Sequence, residues 1–386
     1  MEKMGLTMDV QFWQGKRVFI TGHTGFKGSW LSLCLTQLGA KVKGYALPPS
    51  QPSLFDVAGV AEFVINEVGD IRDFTQLKRS IAEFEPEVVF HLAAQPLVRL
   101  SYDEPIATYA TNVMGTVHLL EAIKQVGGVK AVVNITSDKC YENQEWLWSY
   151  RENEPMGGYD PYSSSKGCAE LVTACYQKSF FNQQNYAQQG CALASVRAGN
   201  VIGGGDFAKD RLIPDILRAF SQHKSAEIRY PHAIRPWQHV LEPLFGYMLL
   251  AEKLHRKGTC FAEGWNFGPR DEDAKSVEWI AKRLCQLWAK DARWHLSEGE
   301  HPHEAHYLKL DCSKARARLN WQPVWHLNTA LTQIVAWQRA WLNNDNMQRV
   351  TIEQINQYML TFMDENYVKT RNQTTNSQAG SAVCRA

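Results

Sequence analysis

Neither sign of charge is in excess in this chain of 386 residues; the formal net charge is +1, with acids and bases mixed along the length. That excludes a basic arm for nucleic acid and an acidic tail. No apolar run reaches the ~18 residues that a membrane span needs. The first residues, MEKMGLTMDVQFWQGKR, lack the apolar core of a signal peptide. The nine cysteines show no paired spacing, which fits free thiols in a reducing compartment rather than a disulfide framework. No internal repeat is present. These absences predict a soluble cytoplasmic protein without a nucleic-acid or membrane partner. What is present is apolar bulk: 45% of residues are hydrophobic, enough for one large domain or two moderate ones.

From residue 16 to 140 the pattern alternates. KRVFITG, KVKGYAL, EFVINEVGD, EVVFHLAA and KAVVNITS read as strands; SWLSLCLTQLG, DFTQLKRSIAEFEP and TNVMGTVHLLEAIKQVG read as helices. Strands separated by helices mean βαβ units and a parallel sheet. Residues 160–187 read as one long helix and CALASVRAGNV as a sixth strand. The fold class is α/β: a doubly wound parallel sheet with a smaller mixed α/β unit, its site at the carboxyl ends of the strands. The expected division is 15–200 for the sheet with a return near 236–262, then 201–235 and 263–366 for the smaller unit. Residues 367–386 are polar and low in complexity and are expected to be a disordered tail.

VFITGHTGFKGSW puts Gly22, Gly25 and Gly28 between the first strand and its helix. The spacing G-x-x-G-x-x-G serves a tight turn, a close approach to a pyrophosphate and a helix N-terminus aimed at the anion. His23, Phe26 and Lys27 share the loop, and His23 and Lys27 read either as positive charge near a phosphate or as plain surface. The second strand ends GYALPP, with no acid for ribose hydroxyls and no arginine for a 2′-phosphate. NAD is therefore expected over NADP, loosely held. Asp70 and Ile71, ending the third strand, are candidates for the adenosine; Asp70 reads equally as a helix N-cap.

DPYSSSKGCAE places Tyr162 and Lys166 one helical turn apart on one face. A phenol is a poor base at neutral pH unless a neighbouring ammonium stabilises its phenolate, and alcohol oxidation needs such a base. The fifth strand runs into Ser137, Asp138 and Lys139, which read as a solvated turn or as a catalytic cluster. HPHEAHY gives His303 and His306 a metal-like spacing, but no further ligand joins them and no metal is expected.

TGHTGFKG, HLAAQ, ATNVMGT, TSDKCY, YSSSK, RAGNVIGGGD and RPWQHVLE together resemble the extended short-chain dehydrogenase/reductases that act on nucleotide sugars, over roughly residues 15–345. Within that family the likeness is greatest to sugar 4,6-dehydratases, with CDP-glucose as the implied substrate. The pointers are an Asp-Lys pair where most such dehydratases carry Asp-Glu, GGGDFAKDRLIPDILRA and PHEAHYLKLD. The resemblance implies oxidation of the sugar at C4, loss of water across C5 and C6, and return of hydride to C6. It gives Tyr162 the C4 proton, Ser137 a hydrogen bond to the C4 oxygen, Lys166 the tuning of Tyr162, and Asp138 the acid for the C6 hydroxyl. Leu92, Ala93, Ala94 and Gln95 are implied to flank the cofactor. Gln95, Asn200, Arg211 and Arg235 are implied substrate contacts, the arginines on the diphosphate.

Lys139 stays open between two roles. As the C5 base it needs a pKa lowered by roughly 3.4 units, about 4.6 kcal/mol; as a cation it stabilises the enolate. A charged Lys139 at ~7 Å and a dielectric of ~20 costs NAD⁺ about 2.4 kcal/mol, predicting weaker binding of NAD⁺ than of NADH; equal dissociation constants would refute that. A homodimer or homotetramer through the Tyr162 helix and the helix near 107–125 is implied, as is a place in deoxysugar synthesis for bacterial O-antigen. A nucleotide-sugar 4-epimerase and a non-catalytic dinucleotide sensor are the alternatives.

Overall fold

The computed structural model describes residues 8–289, 291–298 and 307–364. Seven strands form one sheet: β1 (Arg17–Thr21), β2 (Lys41–Ala46), β3 (Ile65–Val68), β4 (Val88–His91), β5 (Ala131–Ile135), β6 (Ala192–Ala198) and β7 (Gly264–Phe267). Every pairing is parallel, in the order β7-β6-β5-β4-β1-β2-β3. This is the doubly wound sheet that the alternation predicts, reversing direction between β1 and β4 and opening a crevice there. β7 differs from the expectation, which places residues from 263 onward in the smaller unit. Its four residues pair with Ser195–Ala198 of β6, and Trp265 and Phe267 are fully buried.

Helices α1 (Phe26–Gln37), α2 (Phe74–Phe84), α3 (Gly115–Val126) and α4 (Pro161–Ser179) come from the first half of the chain. Alternation along the strands feeds two cores. Val18 and Ile20 pack with Phe90, Val133, Trp30 and Leu31 on one face. Phe19, Val89 and Val132 pack with Leu77, Ile81, Leu119 and Ile123 on the other. Each such side chain, buried, contributes roughly 1.5–3 kcal/mol.

α5 (Leu212–Ser221), α6 (Leu241–Lys257), α7 (Val277–Trp288) and α8 (Leu327–Leu342) follow. α6 is buried almost all round. Its outer side is covered by a helix over 347–364, through Tyr358 at 4.8 Å and Phe362 at 5.2 Å from the Phe245 ring. Its buried acid, Glu242, accepts from the Val324 and Trp325 amides and the Tyr358 hydroxyl. A third core joins α5, α7 and α8 through Ile216, Leu217, Ile280, Leu284 and Ile334. Beside it lie three two-stranded pairs: Val201–Ile202 with Gln238–His239, Ala226–Ile228 with Trp294–Leu296, and Ile234–Pro236 with Ala274–Ser276.

Two helices depart from their sequence reading. α4 starts where expected, with Asp160 capping the Ser163 amide and Pro161 in the first turn. It stops at Ser179 rather than 187, because the Asn182 and Asn185 side-chain amides take the carbonyls of Lys178 and Phe180. α3 is preceded by a π-turn over Ala110–Met114, which periodicity does not reveal. Among the described residues no helix is long and apolar enough to cross a membrane. The 367–386 segment and the His303–His306 pair lie outside the described residues.

Candidate active site

The parallel register sets Thr21 beside Tyr45 and His91, so the loops after β1, β2 and β4 meet. The chain turns at Gly22 with φ +76°. A Cβ there would sit 2.6 Å from the Ala93 nitrogen, so only glycine lets the two loops touch. α1 begins at Phe26 behind Gly25, and its first-turn amides have no partner within the helix. Gly22, Gly25, Phe26, Lys27 and Gly28 floor an open cleft, and Leu92, Ala93 and Ala94 wall it. Asp70 and Ile71 stand at one end; Tyr162, Lys166 and Arg211 stand at the other. A glycine floor meeting a bare helix N-terminus fits a dinucleotide pyrophosphate.

His23 departs from expectation. Its ring is fully buried and edge-on to Phe55, with its Nε2 2.7 Å from the side-chain Oδ1 of Asn66. It occupies the space that a Cβ on Gly44 would need. Burial holds its pKa below the usual range despite the Asn66 bond, so it brings no charge to the cleft. Lys27 does line the cleft, and burial pushes its pKa down to about 8, helped by Arg211 and Lys166. Asp70 is no helix cap, since Asp73 caps the Gln76 amide. Asp70 instead pairs with Arg72 (Nη2–Oδ2 2.5 Å), which holds its carboxyl below the usual range.

Beyond β5 the chain forms a single tight turn over Asp138–Cys140. The Ser137 hydroxyl accepts from the Lys139 amide at 3.2 Å and donates to Asp138 Oδ1 at 3.0 Å. Asp138 Oδ2 is buried and has no hydrogen-bond partner among the described residues. Burial raises the Asp138 pKa against the pull of Lys139, Ser137, Arg235 and Lys27. Ser137 and Asp138 are therefore buried, not solvated. Lys139 follows, partly exposed.

Tyr162 differs in sign from its reading as a phenol lowered by Lys166. Burial pushes it up to about 12; the Ser137 hydrogen bond pulls it down, and Asp138 pushes it further up. Lys166 reaches the Ile135 carbonyl at 3.4 Å, and burial pushes it down to about 8. Gln95 donates its side-chain amide to the Thr108 hydroxyl and accepts from the Leu97 amide, within its own loop. Asn200 lies between β6 and the Val201–Ile202 strand and takes the Gln238 amide on its carbonyl. Arg211 pairs with Asp206 at 2.9 Å. Arg235 is buried within the charge field of Asp138.

Sequence reasoning missed two supports. Asn112, in the π-turn, accepts from the Gln95 amide at 2.8 Å and donates to Ser165 at 2.8 Å, tying the cofactor wall to α4. Glu170, one turn beyond Lys166, receives Arg197 through two nitrogens at 2.9 and 2.8 Å, along with the Thr136 and Ser195 hydroxyls. Burial pushes Glu170 up, but Arg197 outweighs it and holds the carboxyl below the usual range. The readable signal was the i, i+4 series 162–166–170 and the polar 195–197 alternation in an apolar strand.

A sequence model described as GDP-mannose 4,6 dehydratase matches residues 19–334. The CDP-glucose 4,6-dehydratase of Salmonella typhimurium is 64% identical over 353 residues, covering 91% of this chain and 98% of that protein. The structure resembles dTDP-glucose 4,6-dehydratase of Bacillus anthracis in complex with NAD (TM-score 0.71, 21% identity, 86% of this chain and 100% of that one). It resembles the UDP-glucose 4-epimerase of Thermotoga maritima with UDP-glucose equally well (TM-score 0.71, 22% identity, 84% and 99%). With its glycine cleft and Ser137–Tyr162 centre, the chain belongs to the GDP-mannose 4,6 dehydratase family, among the extended short-chain dehydrogenase/reductases that its motifs resemble.

Proposed function

We propose that the chain dehydrates CDP-glucose to CDP-4-keto-6-deoxyglucose with NAD, releasing water. Asp138 carries this reading: a buried acid, raised in pKa, hydrogen-bonded to Ser137 on the same turn. An epimerase expels no C6 hydroxyl and has no work for it. The near full-length likeness to the Salmonella CDP-glucose enzyme supports the substrate.

When bound, NAD would supply a hydride acceptor for C4, a hydride donor for C6 and a cationic ring. Gly22, Gly25, Gly28 and the start of α1 would hold its pyrophosphate, with Asp70 and Ile71 at the adenosine. Tyr162 takes the C4 hydroxyl proton while Ser137 hydrogen-bonds that oxygen. Asp138 protonates the C6 hydroxyl as it leaves, and Lys139, next on the same turn, serves the C5 step. Arg211 and Arg235, with Asn200, meet the nucleotide diphosphate from the smaller unit.

A second copy of the chain is the proposed partner, in a homodimer or homotetramer. Ile106 and Leu171, 84% and 61% exposed around α4, support that face; light scattering of Ile106→Glu and Leu171→Glu tests it. The cytoplasm and O-antigen deoxysugar synthesis are the proposed setting.

The test is product formation from CDP-glucose beside the UDP-, GDP- and dTDP-linked sugars, with and without added NAD, followed by mass spectrometry. Loss of water from CDP-glucose alone is expected. Isomerisation without mass change would make this an epimerase, and no turnover of any sugar would leave a binding protein.

A further inference from the structure

We propose that His91 is a positioning residue: held in one tautomer, it sets the cofactor wall through one ring nitrogen and the Tyr162 helix through the other. The inference rests on the NAD-dependent dehydratase reading for what those two elements do. His91 ends β4, directly before the wall of Leu92, Ala93 and Ala94. Its Nδ1 lies 2.7 Å from the Thr21 hydroxyl and its Nε2 lies 3.2 Å from the Thr116 hydroxyl. Thr21 ends β1, one residue before Gly22, and its oxygen accepts from the Ala93 amide at 3.2 Å. Thr116 stands in the first turn of α3 and donates to the Asn112 carbonyl at 2.7 Å. Asn112 donates through its side chain to Ser165, whose hydroxyl donates to the Tyr162 carbonyl at 2.7 Å. Thr21, His91, Thr116, Asn112 and Ser165 are all buried, so their polar atoms must satisfy one another.

Counting protons gives this chain a direction. The Thr116 hydroxyl has one proton, and the Asn112 carbonyl, which can only accept, takes it. Thr116 therefore accepts from His91, which places a ring proton on Nε2. The imidazole is neutral: burial pushes its pKa down to about 3, and the Lys166 ammonium adds to the fall. Nδ1 then holds a lone pair, and the Thr21 hydroxyl donates to it. The Thr21 oxygen stays free to accept from Ala93. The opposite tautomer would leave the Thr21 proton without an acceptor in this chain and draw Thr116 away from Asn112. Each nitrogen thus has its own task. Nδ1 fixes where the glycine loop meets the wall, and Nε2 fixes the π-turn that supports α4.

Two substitutions separate the two sides. His91→Asn puts a carbonyl oxygen near the place of Nδ1 and has no donor that reaches Thr116. His91→Gln puts an amide nitrogen near the place of Nε2 and leaves Thr21 without its acceptor. His91→Gln is expected to raise the NADH dissociation constant about three- to tenfold in a fluorescence titration, the effect of one lost hydrogen bond. His91→Asn is expected to leave that constant within about twofold and to lower kcat on CDP-glucose by about three- to tenfold. Equal changes in the two variants, or none in either, overturn the assignment. No water loss from CDP-glucose in wild type overturns the dehydratase reading instead and leaves the NADH comparison in force. A second measurement needs no altered histidine. Nitrogen NMR of the wild-type imidazoles reads the tautomer, with the His91 signals identified by their shift in Thr116→Ser, which keeps the hydroxyl. A proton on Nε2 alone is expected; a proton on Nδ1 overturns the proposal.

Discussion

The two ends of the cleft hold their acids in opposite ways. Asp70 follows β3 at the open end and gives its carboxylate to Arg72, which keeps it ionised below the usual range. Asp138 follows β5 at the closed end, hydrogen-bonded through one oxygen and unpartnered at the other, its pKa raised by burial. Both are aspartates just past the carboxyl end of a parallel strand. Burial and partner alone separate a carboxyl held below the usual range from one raised above it.

Asp138→Asn breaks the comparison hardest, because it keeps the shape and removes the proton. Dehydration of CDP-glucose should fall about 10²–10⁴-fold, with C4 oxidation still visible as NADH absorbance in a single turnover. If both steps fall together, Asp138 is not the elimination acid.

The pair behind the closed end should matter next, and to stability. Glu170 and Arg197 are 4% exposed each and join α4 to β6. Removing one partner leaves a buried charge alone, at about 3–5 kcal/mol. Glu170→Gln should therefore lower the unfolding free energy in urea by that order, and Glu170→Leu with Arg197→Met by much less. Equal losses would mean the pair contributes net attraction rather than mutual compensation.

Local pattern carried the sheet, the glycine loop and the Tyr162–Lys166 turn, because each is written within a few neighbouring residues. What stayed hidden depends on contacts distant in sequence. His23 turns inward because Gly44, on the next strand, leaves room for its ring. Tyr162 is raised rather than lowered because its surroundings remove water, which a spacing rule does not register. β7 joins the sheet only through its pairing with β6, some seventy residues earlier in the chain.

Lys166 sharpens the contrast through pH. Its pKa is pushed from 10.5 to about 8 in the folded protein. Between those values the unfolded chain binds more protons, so its contribution makes stability rise with pH across that window. Below pH 8 the buried ammonium costs the fold about 3 kcal/mol. Lys166→Met should thus be more stable than wild type at pH 7, by up to that amount, with the gain closing toward pH 10.5. The variant should also lose activity. A difference that does not change with pH would place the Lys166 charge in solvent.

The open end should give the smallest effect. The Asp70–Arg72 pair is part-exposed, at 28% and 48% of the side chains, and such pairs are worth about 0.2–1 kcal/mol. Arg72→Ala should leave the unfolding midpoint nearly unchanged and shift the NAD dissociation constant no more than about fivefold in a fluorescence titration. With Arg72 removed, Asp70 is free to accept from the cofactor, so binding should tighten rather than weaken. Weakening by tenfold or more would mean that Arg72 itself holds the adenosine, and that the open end, like the closed one, uses its charges directly.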